Sequence, residues 1–228
     1  REQVENFVKR IYLVALEREA EPDGLEDWTN RLISGEAKGA EVMQGVIFSK
    51  EFTNKELSDE EFVNRLYRAM FDREADQGGF EGWMKDLYNG ASREYVYHGF
   101  AEGDEFKDLC EKYNIQQGSV TLSQPRDQNI KLTEFVSRVY YIALNRVSLD
   151  EAGINDWCGR ILSGGSSPAD VVWGIVFSDE FNNRHLSNEE FVVTMYKTYF
   201  DRDAAKDPNG YNDWLGRLQK GESRETVV

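Results

Sequence analysis

One motif occurs four times in this chain, and that repetition constrains the fold more than any other feature. Each copy opens on Phe-Val, places a Tyr five residues after the Phe, then an Arg, then Gly-x-x-x-Trp. The Phe anchors are Phe7, Phe62, Phe135 and Phe191, and the Gly/Trp pairs are Gly24/Trp28, Gly79/Trp83, Gly153/Trp157 and Gly210/Trp214. The first two anchors, and likewise the last two, are roughly 55 residues apart, near the period of helical repeat arrays. The middle interval is longer, so the copies group as two tandem pairs. Repetition of this kind assigns most of the distinctive residues to packing and leaves few for chemistry.

Every copy reads as three helices. In the first, apolar residues fall on one helical face: Phe7, Val8, Ile11, Tyr12 and Ala15, and then Phe62, Val63, Leu66, Tyr67 and Met70. The later copies repeat the face, and no stretch of period two competes with it. Ser58 with Glu61, and Ser187 with Glu190, have the spacing of capping boxes, and Leu57 has that of a hydrophobic staple onto Phe62. The first helix is expected to end near Arg18, Arg73, Arg146 and Arg202. Glu21, Asp76, Asp150 and Asp207 then stand as acidic N-caps for a second helix, with Pro22 and Pro208 at its first position. That helix carries the Trp and closes at Gly35, Gly90, Gly164 and Gly221, where positive φ is readily adopted. A third helix follows, clearest at Ser167-Pro168-Ala169-Asp170, and ends in a Ser-x-Glu-Phe turn at Ser49–Phe52 and Ser178–Phe181. In the second copy this turn is weakened to Gly103-Asp104-Glu105-Phe106.

The expected fold class is therefore all-α, about eleven helices in four three-helix repeats arranged as two tandem helical modules. Module one spans 1–115, with repeats at about 1–62 and 57–115. A polar, turn-rich linker spans 116–128, and module two spans 129–228. The fourth copy reaches Val228 inside its third helix and the chain opens on Arg1, so the polypeptide is expected to continue at both ends, with module two truncated at its C-terminal side.

The combination Phe-Val…Tyr…Arg…Asp-Pro…Gly-x-x-x-Trp…Leu…Gly…Val-x-x-Gly…Ser-x-Glu-Phe resembles the bacterial family known as domain of unknown function 4214, over nearly the whole chain. It is also distantly similar to the helical domain of phycobilisome linker proteins. The first resemblance implies helical repeats appended to secreted or surface proteins of bacteria, and supplies no catalytic residues.

Charge narrows the partners. The 42 Asp and Glu exceed the 27 Lys and Arg, giving a net charge of −15. Such a field repels phosphate backbones and anionic lipid, so nucleic acid is not an expected partner. No apolar run approaches the roughly 20 residues of a membrane span, and membrane insertion is not expected. The two cysteines, Cys110 and Cys158, sit at non-equivalent positions and read as free thiols.

Each candidate for chemistry has a structural alternative. Glu19, Glu21, Asp23 and Gly24 match part of a calcium loop, but its twelfth position is Asn30, and helix capping explains the acids. The four Arg residues that end the first helices are either an anion site or partners of the adjacent acids and the helix dipole. His98 and Cys110 form a conceivable reactive pair that nothing orients, and Ser166 lacks the strand-turn-helix setting of a nucleophile. A glycosidase pair among so many acids is a matter of geometry. The repeated Trp residues are expected in the core, with the nearby glycines allowing close helix approach. Trp173 is different: it lies about 130° from the centre of the buried arc at 100° per residue, where the other copies have Gln44 and His98. An indole at a polar position is either repacked inward or is a partner-binding contact.

The expected function is a non-catalytic interaction or spacer module of a larger bacterial secreted or cell-surface protein. Its partner would be a protein or glycan met through Trp173, without catalytic residues, cofactor or metal. The alternatives are an enzyme with a helical active site, such as a carboxylate-based hydrolase, and a scaffold linker that docks partner proteins. Deep-pocket residues that differ between copies would mark the enzyme, and a shallow aromatic patch the binder.

Overall fold

The computed structural model describes residues 1–228 and is helical throughout, without strands. The first repeat comprises α1 (Glu2–Ile11), prolonged by a π-helical turn Tyr12–Leu16, then α2 (Pro22–Ser34), α3 (Gly39–Ile47) and α4 (Lys50–Thr53). The second comprises α5 (Asp59–Phe71), α6 (Gln77–Tyr88), α7 (Arg93–Ala101) and α8 (Asp104–Lys112). A short α9 (Pro125–Gln128) precedes the third, made of α10 (Ile130–Ala143), α11 (Glu151–Leu162), α12 (Pro168–Val176) and α13 (Asp179–Asn182). The fourth has α14 (Asn188–Phe200), a 3-10 turn Ala204–Lys206, α15 (Pro208–Gln219) and α16 (Arg224–Val227). Sixteen α-helices replace the expected eleven, chiefly because the Ser-x-Glu-Phe turns are helices themselves. Ser49 and Ser178 cap α4 and α13 by accepting from the amides of Phe52 and Phe181.

Local signals place most boundaries where expected. Ser58/Glu61, Ser187/Glu190 and Ser167/Asp170 form reciprocal capping boxes at the starts of α5, α14 and α12. Asp76, Asp150 and Asp207 accept from the amides of Gly79, Gly153 and Gly210. Glu21 departs from this pattern and makes no such bond. Its longer side chain reaches Arg18 instead, at 2.8 Å. The first helix of every repeat ends on a residue of positive φ: Glu17, Asp72, Asn145 and Asp201. Three are Asp or Asn, the types that tolerate this conformation best.

The chain divides into two compact units, Arg1–Ser123 and Gln124–Val228. The segment 116–128, expected as a linker, is built into both. In the first unit the carbonyls of Gln116 and Gln117 accept from the amides of Gly39 and Ala40, at 2.8 and 2.7 Å. They thereby satisfy the open N-terminus of α3, whose N-cap Lys38 has no side-chain acceptor to offer. In the second, Arg126 and Asp127 of α9 are buried, and Arg126 pairs with Glu151 at 2.9 Å. A segment with turn-rich composition lacks periodicity; it need not lack contacts.

Within each unit the first helices of the two repeats pack together, and arginines close their C-terminal ends. Arg10 on α1 donates to the carbonyls of Arg68 and Ala69 at the end of α5. Arg65 on α5 returns the contact to the carbonyls of Val14 and Ala15, at 3.2 and 3.1 Å. In the second unit Arg138 reaches the carbonyl of Thr198, and Arg184 those of Ile142 and Ala143. A guanidinium at a helix C-terminus meets both unpaired carbonyls and the negative end of the dipole. Around these pairs lie the buried anchors Phe7, Phe62 and Phe191, with Phe135 packed at the edge of its core.

Inside the first three repeats two glycines set the helix spacing, and in the fourth Gly210 alone does so. A Cβ added to Gly79 would lie 2.2 Å from the Tyr67 hydroxyl, and at Gly153 and Gly210 the Tyr140 and Tyr196 hydroxyls are equally close. The second contact is to Trp: a Cβ on Gly99 would lie 2.3 Å from the Trp83 indole, and Gly45 and Gly174 meet Trp28 and Trp157 at 3.1 Å. The four motif tryptophans are half-buried rather than enclosed, packing one face on the core. In three of them the outer face carries a guanidinium one turn on, from Arg31, Arg160 or Arg217. A ring sandwiched in this way gains from both contacts without full burial.

The Gly79 contact yields a discriminating substitution. Gly79→Ala would gain helix propensity worth about 1 kcal/mol on an open helix face, but here its Cβ meets the Tyr67 hydroxyl. Both Gly79→Ala and Gly79→Leu are therefore expected to destabilise, the latter by about 1–3 kcal/mol through overpacking. Gln77→Leu, in the exposed first turn of α6, is expected to be near neutral. Urea midpoints that moved equally for Gly79→Leu and Gln77→Leu would contradict the packing argument.

Candidate functional site

The polar residues that recur in every repeat converge on one cluster per copy. Arg18 holds Glu51 through two bonds of 2.5 and 2.6 Å, Arg73 holds Glu105 at 2.7 and 2.8 Å, and Arg146 holds Glu180 at 2.8 and 2.6 Å. Each guanidinium also lies over the ring of the motif Tyr, at 5.1, 5.0 and 5.3 Å from Tyr12, Tyr67 and Tyr140. Two-pronged Arg–carboxylate pairs are directional as well as ionic, so they fix the last turn of the first helix against the Ser-x-Glu-Phe helix. The expected partner was the acid of the adjacent N-cap. Glu21 and Asp76 do pair with Arg18 and Arg73, but as the lesser contacts. The glutamate of Ser-x-Glu-Phe was the missed residue, although its recurrence beside a recurring Arg was visible. Neutralised this way, the arginines are not a vacant anion site.

Paired carboxylates lie below their usual range for a physical reason. Hydrogen bonds from Arg18, Arg73 and Arg146 lower Glu51, Glu105 and Glu180, and the amides of Gly79 and Gly210 lower Asp76 and Asp207. A shallow hollow beside Phe71 gathers Asp72, Glu105 and Asp108. Asp72 there is also lowered, first by Arg10. A general acid needs the opposite shift. No group of three or more His, Cys, Asp or Glu side chains is arranged to hold a metal ion. In the partial calcium loop, Glu21 is engaged by Arg18.

Both cysteines are free and buried, in different units. Cys110 lies in α8. Burial raises its thiol to about 12. Cys158 is also raised, mainly by burial, against the opposing effect of a contact with the Thr133 hydroxyl at 3.5 Å. Neither supplies a thiolate near neutral pH.

Trp173 remains as the candidate that the repeat architecture does not absorb. Its neighbours Val171, Val172, Ile175 and Val176 are buried, while Trp173 itself is 47% exposed. The inward repacking that was the alternative does not occur. Phe177 lies one turn on and flanks the indole at 4.5 Å with the rings tilted by 55°. The two rings form a small aromatic ledge on α12, where Gln44 and His98 stand in the other copies. No helix of the chain is long and apolar enough to cross a membrane.

A family model described as Domain of unknown function (DUF4214) matches the chain four times, over residues 2–56, 43–110, 119–185 and 174–228. No curated protein and no solved structure matches it.

Two measurements follow from these environments. Carboxylates with folded-state values below their unfolded ones add stability that is fully present above the unfolded range of about 4, and lose it as pH falls through the folded value. Urea stability is therefore expected to hold from neutrality to about pH 5 and to fall steadily below about pH 4; a stability that rose on acidification through that window would contradict the assignment. Titration with a thiol reagent after denaturation without reductant should find two thiols per chain, both slow to react in the native state. A count of zero would mean a disulfide.

Proposed function

We propose a function for a chain that belongs to the DUF4214 family: a non-catalytic interaction module that presents an aromatic ledge to a protein or glycan partner. One observation carries this reading. Trp173 is exposed at a template position that is polar in the other copies, and it is braced by Phe177 rather than buried. A large exposed indole held by a neighbouring ring has little side-chain freedom to lose on binding, which suits it as an anchor. Aromatic faces of this kind stack on sugar rings and also fill apolar notches of protein partners. The chemistry elsewhere is consistent with a binding role. The recurring arginines and acids hold helices together, the thiols are buried, and Asp72 and Glu105 beside Phe71 are shifted downward, the wrong direction for acid catalysis.

The net charge of −15 favours neutral or basic partners over phosphate-rich ones. The proposed setting is a bacterial secreted or cell-surface protein in which these repeats act as an interaction or spacer segment.

Iodide should quench the parent chain more fully than Trp173→Phe, because the most accessible of the five indoles is removed. Retention on polysaccharide affinity gels and self-association by sedimentation then test binding directly. Trp173→Ala is expected to unfold as cooperatively as the parent while losing roughly tenfold in whichever association the parent shows. Undiminished association in a well-folded Trp173→Ala chain would remove the ledge from the function.

A further inference from the structure

Trp173 shares its side of α12 with a carboxylate that is fixed in place and keeps one oxygen unused. Asp170 stands three residues before the indole, a spacing at which helical side chains lie next to each other. Its Oδ2 accepts from the Ser167 amide at 2.6 Å and from the Ser167 hydroxyl at 2.8 Å, as part of the capping box of α12. Oδ1 takes part in neither bond. The same two bonds hold the carboxyl below its ordinary range, so it is a charged acceptor at neutral pH. On the other side Phe177 braces the indole at 4.5 Å. An aromatic face and a hydrogen-bond acceptor, each immobilised by its neighbour, thus lie together on exposed helix surface. No other copy combines them: the first has Glu41 and Gln44 at these positions, and the second has Tyr95 and His98.

The size and charge of this surface decide what fits it. A half-exposed indole offers on the order of 100 Å², and the exposed residues beside it, Ala169 and Gly174, add little apolar area. Each side of a stable protein interface buries about 800 Å². The ledge is therefore small for a protein partner, and it matches a single sugar ring. A pyranose whose substituents are all equatorial turns an apolar C–H face toward an indole and keeps its hydroxyls at the rim, where one can donate to a carboxylate oxygen. Charge selects among such sugars. From Ser167 to Asn182 the chain has three acids, Asp170, Asp179 and Glu180, and no Lys or Arg. Arg146 neutralises Glu180. The other two leave a negative surface that repels uronates and sulfated sugars.

We infer that the Trp173–Asp170 face binds a neutral glycan built of equatorially substituted pyranoses, such as a β-linked glucan or its 2-acetamido counterpart. One ring stacks on the indole, and a hydroxyl of that ring donates to Oδ1 of Asp170. This inference rests on the reading of Trp173 as a binding contact and narrows its partner to a sugar. Asp170 has two tasks in it, holding the start of α12 with one oxygen and the ligand with the other.

Cellohexaose and chitohexaose serve as probes, titrated calorimetrically into the full chain. They share the equatorial ring and differ in carrying a hydroxyl or an acetamido group on its second carbon. Saturable binding of at least one is expected. Trp173→Ala should weaken it at least about tenfold. Asp170→Asn, which can still cap α12 through its remaining oxygen, should weaken it roughly threefold while the chain still unfolds cooperatively. In native affinity gels carboxymethylcellulose should retain the chain less than hydroxyethylcellulose, with the difference narrowing in high salt. Absence of saturable binding for both hexasaccharides, equal binding by Trp173→Ala, or stronger retention by the anionic polymer would overturn the inference. Equal binding by Asp170→Asn would overturn the part given to the carboxylate. Failure of the sugar and failure of the ledge are separable. If neither hexasaccharide binds but Trp173→Ala abolishes a self-association of the parent, the glycan is overturned and the ledge stands as a protein contact. If Trp173→Ala alters no association of either kind, both fall.

Discussion

The close approach of three helices at two missing Cβ atoms underlies the rest of each complete repeat. One glycine admits the hydroxyl of the motif Tyr between the first and second helices, and another admits the motif Trp between the second and third. Interhelical distance depends on the side chains at the contact. With glycine at both crossings, the aromatic rings are held edge and face against backbone rather than against other side chains. The Phe anchors then close the space behind them. Enlarging either glycine would push apart helices whose remaining contacts are set for the shorter distance.

The ion pairs act as ties on this arrangement and add directionality to it. Exposed Arg–Glu pairs contribute little individually, but here each guanidinium makes two bonds to its glutamate and lies over the ring that the glycine has admitted. The Tyr, Arg and Glu therefore position one another. Between repeats, Arg10 and Arg65 close the C-termini of each other's first helices and Arg138 closes that of α14, while Arg184, just after α13, closes α10 of its own repeat. A repeat so organised spends its conserved-looking polar groups on its own architecture. Residues that break the template then become informative. Trp173 does so by adding an indole.

Much of this was legible in the chain because it depends on neighbours close in sequence. A helix is patterned every 3.6 residues, a capping box every three, and a closing glycine ends the run that precedes it. The boxes at Ser58, Ser167 and Ser187 and the glycines Gly35, Gly90, Gly164 and Gly221 stand where the sequence places them. The angle of Trp173 opposite the buried arc of α12 marked it as exceptional but left inward repacking open, and only the packed helix decided for exposure. The fourfold repetition and the all-helical class needed no more than the spacing of Phe, Gly and Trp.

What only the tertiary structure decided involves partners distant along the chain. Arg18 and Glu51 are paired across a repeat, and nothing local distinguishes Glu51 from Glu21 until α4 is folded back beside α1. Residues 116–117 look like a linker by composition, yet their carbonyls serve amides of α3 because that N-terminus lacks an acceptor of its own. The motif tryptophans read as core residues from recurrence, but packing leaves one face of each outward. Periodicity and capping are short-range properties and can be read along a line; pairing, coverage and cavities belong to surfaces that exist only after the line has folded.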